Sequence, residues 1–202
     1  GKDDVIVGAP GDDDNGSNSG RAFIFFGGIT GSKRANSDAD VILNGQSAGD
    51  SFGGSVASAG DFNGDGKGDV VIGARLDDNN SETDSGSAFI FFGGITGTKN
   101  ADDDADVILN GQSAGDEFAG SFNSTNQLHS EAISTGDFNG DGTIDVLVGA
   151  SGDDNNSASA SGSAFVFLSS SVFPSITFSD TTSNQKENIT QVNIPVTLSK
   201  TS

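Results

Sequence analysis

The chain has 202 residues, of which only 33% are hydrophobic, so a thick continuous core is not expected. Nine basic and 29 acidic residues give a net charge of −20, which disfavours nucleic acid and anionic lipid as partners and favours cations. Because there is no cysteine and no apolar stretch long enough to cross a bilayer, disulfides and thiolate metal sites are excluded and direct membrane insertion is not expected.

Internal repeats set the architecture. Residues 22–31 (AFIFFGGITG) recur unchanged at 88–97, and a looser copy (AFVFLSS) begins at Ala164. Residues 39–50 (ADVILNGQSAGD) recur unchanged at 105–116. Repeats of this length are typical of proteins built from stacked supersecondary units.

Each repeat predicts four short strands. In the middle repeat we expect them at residues 52–60, 69–74, 87–92 and 105–109, where runs rich in phenylalanine and β-branched residues lie between glycine and Asp/Asn clusters. This pattern leaves little room for helix. The predicted fold is therefore all-β, with blades of four antiparallel strands that form a partial β-propeller of about three repeats.

The repeats also predict domain boundaries. A first blade is expected at residues 1–51, lacking its opening strand, a second at 52–117 and a third at 118–171. Residues 172–202 alternate apolar and polar side chains and predict the first strands of a separate, truncated β-sandwich-like domain.

The order of motifs resembles that of FG-GAP repeats, which build the β-propeller head of integrin α subunits. The residues concerned are Phe52-Gly53 followed by Gly73-Ala74, then Gly8-Ala9-Pro10, with degenerate copies at Phe118-Ala119 and Gly149-Ala150. The resemblance implies calcium loops between the first and second strands, and a secreted, extracellular adhesion protein, which we expect to be bacterial. The last 31 residues more weakly resemble the opening of a Calx-β domain.

Two Asp-rich loops, residues 61–69 and 137–145, are the candidate metal sites. Oxygen side chains at positions 1, 3, 5 and 9, with a glycine at position 6, suit Ca²⁺ rather than Zn²⁺. An EF-hand is excluded because position 12 is Ile72 or Val148 instead of glutamate. A metal-free acidic turn is the alternative, which three clustered carboxylates disfavour. The predicted ligands are Asp61, Asn63, Asp65, the Lys67 carbonyl and Asp69, and Asp137, Asn139, Asp141, the Thr143 carbonyl and Asp145.

Two further features are candidate partner contacts. A second acidic series, with Asp77, Asp78, Asp153 and Asp154, joins second to third strands on the face opposite the calcium loops, and its alternative interpretation is a solvated turn. An insertion at residues 122–131 of the third repeat carries Phe122, Leu128 and His129, and its alternative is a neutral length variation.

Catalysis has little support in the sequence. His129 is the only histidine, and the aspartates lie in polar turns where burial is not expected. We predict no enzyme activity, and instead calcium-dependent contacts with other protein chains, with copies of the same chain, or with a cell-surface or matrix ligand. A self-assembling filament is one alternative. A carbohydrate-binding module is another, disfavoured by the absence of tryptophan and tyrosine.

Overall fold

The computed structural model describes residues 2–122, 128–129, 132–154 and 161–169. The chain divides into two compact units, Gly1–Ser171 and Val172–Ser202. The segment predicted to begin a β-sandwich coincides with the second unit and lies outside the described residues. The first unit is built from β-sheets, which confirms the predicted all-β fold class.

The first blade contains three strands of the repeat. They are β1 (Val5–Ala9), β2 (Arg21–Phe25) and β3 (Val41–Asn44), paired antiparallel in that order, with one helical turn α1 (Ala35–Asp38) between β2 and β3. Glycines with positive φ, Gly16 and Gly20, lie in the connection between β1 and β2, where an L side chain would be strained.

The middle blade has the four predicted strands. They are β4 (Ser55–Gly60), β5 (Asp69–Ala74), β6 (Ser87–Phe91) and β8 (Val107–Asn110), antiparallel in this order. Between β6 and β8 lie β7 (Gly97–Asn100) and the one-turn helix α2 (Ala101–Asp104).

Strand β7 was not predicted. It leaves the middle blade and pairs in parallel with β3 of the first blade, where the side chain of Asn100 accepts a hydrogen bond from Asn44 Nδ2 (3.2 Å). Ala101, the residue after β7, is buried in the core between the two blades. The connection thus covers the outer edge of its neighbour, as exposed strand edges require.

The third blade contains β11 (Ile133–Gly136), β12 (Asp145–Ala150) and β13 (Ser163–Phe167), again antiparallel in order. At the inserted segment, the backbone of β9 (Ser121–Phe122), which begins one residue before the insertion, pairs antiparallel with β10 (Leu128–His129). The remaining inserted residues, and the side chains of Phe122, Leu128 and His129, lie outside what the structure describes.

The core lies between blades, in two layers. Phe89 and Phe91 of β6 face the first blade, whereas Ala88 and Ile90 of the same strand face the third. Both faces of the middle sheet are therefore buried. This explains why its strands read as continuous apolar runs instead of alternating with polar residues.

The FG and GAP elements meet across blade boundaries. Phe52 is fully buried, packs edge-on against Phe89 with ring centroids 5.5 Å apart, and donates its N–H to the Ser19 carbonyl of the first blade (3.1 Å). A Cβ atom on Gly8 would lie 1.9 Å from the carbonyl oxygen of Gly53. The GAP glycine of one repeat therefore makes room for the FG backbone of the next.

Candidate calcium-binding loops

The first candidate loop joins β4 to β5, and its side-chain oxygens accept hydrogen bonds from N–H groups of the same loop. The N–H of Asp65 donates to Asp61 Oδ1 (2.8 Å) and to Asn63 Oδ1 (2.9 Å), and the N–H of Gly66 donates to Asp61 Oδ2 (2.9 Å). Gly64 and Gly66 both have positive φ, at 75° and 85°, which allows the tight turn. The oxygens at positions 1 and 3 thus converge on the amide of position 5.

The second loop, between β11 and β12, repeats this arrangement. The N–H of Asp141 donates to Asp137 Oδ1 (3.0 Å) and Asn139 Oδ1 (2.8 Å), and the N–H of Gly142 donates to Asp137 Oδ2 (2.9 Å). Two segments 76 residues apart therefore place the same side chains in the same positions.

The carboxylates at position 5 are held in their charged form. The N–H of Lys67 donates to Asp65 Oδ1 (2.9 Å) and its ammonium lies 3.1 Å from Asp65 Oδ2, so the pKa of Asp65 is below its ordinary value. The pKa of Asp141 is lowered by hydrogen bonds from the hydroxyl and the N–H of Thr143. Ionised carboxylates are the form that binds a cation.

The aspartates at position 9 have a structural task that the sequence reasoning missed. Asp69 is buried, accepts the N–H of Phe62 (2.8 Å) and Asn63 (3.2 Å) on one oxygen, and accepts the N–H of Gly93 (2.7 Å) on the other. Its pKa is raised by burial, and these N–H groups oppose the shift. Asp69 therefore ties the loop to the residues that follow β6.

The equivalent residues do the same in the other blades. Asp145 accepts the N–H of Phe138 (2.9 Å) and of Ser169 (2.9 Å), the latter just beyond β13. Asp4 accepts the N–H of Gly27 (2.6 Å) beyond β2. The recurrence of aspartate at the start of each second strand, or in Asp4 one residue before it, was visible in the sequence, but its partners are distant in the chain.

The loops contain the oxygen ligands that Ca²⁺ prefers, but these oxygens do not yet surround a single position. Among the described residues, no group of three or more His, Cys, Asp or Glu side chains is arranged to hold a metal ion. In each loop the first carboxylate and the Asn amide face backbone N–H groups. The donor set is nonetheless all oxygen, with half-buried or exposed carboxylates at positions 1 and 5 and a buried carboxylate at position 9, and it fits a hard cation.

At the other end of the blades, two of the predicted partner residues are buried. Asp77 and Asp153 are almost inaccessible to solvent, whereas Asp78 and Asp154 are exposed. The N–H of Gly86 donates to the Asp77 carbonyl and that of Gly162 to the Asp153 carbonyl, which closes each turn. Burial restricts any direct partner contact in this series to Asp78 and Asp154.

A second buried carboxylate, Asp50 of the first blade, lies close enough to Asp77 to be affected by its charge. Asp50 lies in the segment after β3, accepts the N–H of Ser47 (3.1 Å) on Oδ2, and is 6% exposed. Burial and the charge of Asp77 raise the pKa of Asp50 to about 7, and burial raises the pKa of Asp77 to about 6. The expectation that aspartates would stay in solvated turns is wrong here, because blade packing desolvates them.

This pair predicts a pH-dependent stability. A folded-state pKa above the ordinary 3.8 means that the folded chain binds more protons than the unfolded chain between about pH 4 and pH 7, so stability falls as the pH rises through that window. Asp50→Asn should remove much of this loss and raise the free energy of unfolding at pH 8 by about 1–3 kcal/mol. Urea denaturation in calcium-free buffer at pH 5 and pH 8 measures it. The exposed neighbour variant Asp78→Asn is the control, and equal effects of both would contradict the assignment.

Models of known protein families match one segment in each of the three blades. One FG-GAP repeat model matches residues 52–91 and 131–167, and a second FG-GAP repeat model matches residues 1–25. No curated protein matches the chain. In the described part of the chain, no helix is long and apolar enough to span a bilayer. The matches cover about half of the chain and contain β1 and β2, the first three strands of the middle blade, and β11 to β13 of the third blade, so the chain belongs to the FG-GAP repeat family.

Proposed function

We propose that this chain is a calcium-binding, non-enzymatic module of an extracellular protein that makes adhesive contacts with other proteins. The observation that carries the proposal is the duplicated geometry of the two loops. In each of the loops at residues 61–69 and 137–145, an aspartate oxygen from position 1 and an asparagine oxygen from position 3 accept the N–H of position 5. Both loops also carry three carboxylates and an amide, the all-oxygen donor set that a hard cation prefers.

The residues have distinct tasks in the proposed sites. Asp61, Asn63 and Asp65 would supply side-chain oxygens, Lys67 a backbone carbonyl, and the buried Asp69 would hold the loop ends while offering its remaining lone pairs. Asp137, Asn139, Asp141, Thr143 and Asp145 would do the same in the third blade. A bound Ca²⁺ would neutralise carboxylates that otherwise repel one another in a chain of net charge −20.

The family supports the cellular setting. FG-GAP repeats occur in integrin-like adhesion proteins and other extracellular proteins, and typically mediate contacts between proteins. We place the partner surface at the end of the blades opposite the calcium loops, where Asp78 and Asp154 are exposed. We propose that the inserted residues Phe122, Leu128 and His129 also contribute to this partner surface.

Thermal unfolding with and without chelator tests the calcium sites. Each site occupied at ten to a hundred times its dissociation constant adds roughly 1.4–2.7 kcal/mol, so chelation should lower the melting temperature by several degrees. Magnesium should restore little of this, because it requires compact octahedral coordination.

A matched set of variants locates the effect. The double variant Asp65→Asn, Asp141→Asn should lose most of the calcium response, whereas Asp103→Asn, an exposed aspartate on α2, should keep it. If chelator left the melting curve of the wild-type chain unchanged, the proposal that the loops bind calcium would be contradicted.

A further inference from the structure

Two buried aspartates lie where the first blade packs on the middle blade. Asp50 follows β3 and is 6% exposed, and Asp77 follows β5 and is 2% exposed. The N–H of Leu76 donates to the Asp50 carbonyl (3.3 Å), which places the two segments side by side. Asp50 and Asp77 are called the junction pair below.

The repeat builds the same arrangement at the next blade boundary. Asp116 (3% exposed) and Asp153 (0%) occupy the repeat positions of Asp50 and Asp77. The N–H of Gly152 donates to the Asp116 carbonyl (3.0 Å), as that of Leu76 does to Asp50. Two buried aspartates at a blade boundary are therefore a property of the repeat, formed between blades that the chain itself supplies.

One oxygen of the junction pair lacks a partner. Asp77 Oδ2 is enclosed by protein and, within the described part of the chain, accepts no hydrogen bond. Asp50 Oδ2, in contrast, accepts the N–H of Ser47 (3.1 Å), and the buried carboxylate of Asp69 accepts three N–H groups. A buried carboxylate oxygen without a donor indicates a proton or a cation that the protein's own groups do not supply.

The surroundings of the junction pair are acidic. Burial and the charge of Asp77 raise the pKa of Asp50, and the charges of Asp102 and Asp78 add to the shift. Burial raises the pKa of Asp77, and the charge of Asp102 adds to it. Among the residues that the structure describes, neither member of the pair forms an ion pair. The compensating charge must therefore come from solution.

Asp102 of helix α2 is fixed beside the same boundary. Its N–H donates to Gln46 Oε1 (2.6 Å), in the segment that leads from β3 to Asp50. Its Oδ1 accepts a hydrogen bond from Asn79 Nδ2 (2.7 Å), two residues after Asp77. In the described ranges no three acidic side chains are arranged to hold a metal ion, so Asp102 acts on the pair through its charge and not as a ligand.

We propose that the junction pair binds a calcium ion, which joins the first blade to the middle blade at the end opposite the calcium loops. The carboxylates of Asp50 and Asp77 would hold the ion, and water would complete its shell, because Ca²⁺ accepts oxygen ligands in irregular geometry. The ion and the proton compete for the same oxygens, so binding should strengthen as the pH rises and the pair loses its protons. This site is separate from the two loops.

Equilibrium dialysis against Ca²⁺ tests the site in a chain whose loops are disabled, the double variant Asp65→Asn, Asp141→Asn. That variant should still bind one calcium ion per chain at pH 8, with affinity at least about tenfold weaker at pH 5.5. The loop sites of the wild-type chain are therefore counted at pH 5.5, and at pH 8 the wild-type chain should bind one ion more.

Further substitutions in the double variant locate the ion. Asp50→Asn and Asp77→Asn should each weaken binding at pH 8 at least about tenfold, because each removes one of two charged ligands. Asp103→Asn, an exposed aspartate next to Asp102 on α2, should leave binding unchanged. Circular dichroism checks that each variant is folded. No calcium bound to the double variant at pH 8, or binding that Asp50→Asn and Asp77→Asn leave intact, would overturn the proposal.

A second measurement distinguishes a bound ion from a pair that only shares a proton. At pH 8 in chelator, Asp50→Asn should melt at a higher temperature than the wild-type chain, because it relieves the repulsion within the pair. In calcium this difference should shrink, since the wild-type chain gains an ion at the junction that the variant lacks, while both keep their loops. The same difference in chelator and in calcium would show that the pair binds no ion.

Discussion

Replacing Gly73 by alanine should cost about 2–3 kcal/mol of unfolding free energy, although both residues are small. Gly73 is the glycine of the GAP element in the middle blade, and a Cβ atom there would lie 2.3 Å from the carbonyl oxygen of Ala119 in the third blade. Backbone atoms on both sides would have to move, because no flexible side chain can yield. The change should therefore loosen the boundary between the two blades.

Gly149 provides the matched control, since it occupies the same position of the motif in the third blade. A Cβ atom on Gly149 would meet only the Ala132 carbonyl, at 3.6 Å, which is an ordinary contact. Gly149→Ala should be neutral or stabilise by up to about 1 kcal/mol, because alanine restricts the unfolded chain. Guanidinium denaturation of both variants measures the difference, and equal losses would show that the clash at Gly73 is not the cause.

Replacing Asp69 by alanine should cost about 3 kcal/mol even when no calcium is present. Its carboxylate accepts three backbone N–H groups, from Phe62, Asn63 and Gly93, and is buried. Removing it leaves those donors without their partner and frees the loop from the residues after β6. The loss should therefore appear in chelator as well as in calcium.

Asp61→Ala separates this structural task from metal binding. Asp61 accepts the N–H of Asp65 and Gly66 in a solvent-accessible turn, where water can replace it. In chelator its loss should cost under about 1 kcal/mol, whereas in calcium it should also remove the stabilisation that the first loop provides. If Asp61→Ala and Asp69→Ala were equally destabilising in chelator, the claim that Asp69 joins the loop to the residues after β6 would be wrong.

The blades could be predicted because their information is local and repeated. The four strands of the middle repeat end within a few residues of the expected positions, since glycine and Asp/Asn clusters stop each apolar run. Strand β7 could not be predicted, because GTKN is polar and has no strand pattern. Its first-blade equivalent, residues 31–34, is not a strand, so pairing with β3 depends on the neighbouring blade.

The sequence identified candidate ligands but not their surroundings, and calcium binding by these residues stays a prediction. The side-chain oxygens of Asp61 and Asn63 both accept the N–H of Asp65 within the first loop. The burial of Asp69, and of Asp50 beside Asp77, arises from contacts between segments far apart in the chain, which a composition rich in aspartate and glycine conceals. Tertiary packing decides which of many similar aspartates leave the solvent.

Isothermal titration of the chelator-treated chain with Ca²⁺ tests the central claim most directly. Two loop sites per chain are expected, falling to one in the Asp65→Asn variant and to one in the Asp141→Asn variant, while Asp103→Asn keeps two. If excess Ca²⁺ produced no heat of binding, and equilibrium dialysis found no calcium bound to the chain, the claim that these loops are calcium sites would be contradicted.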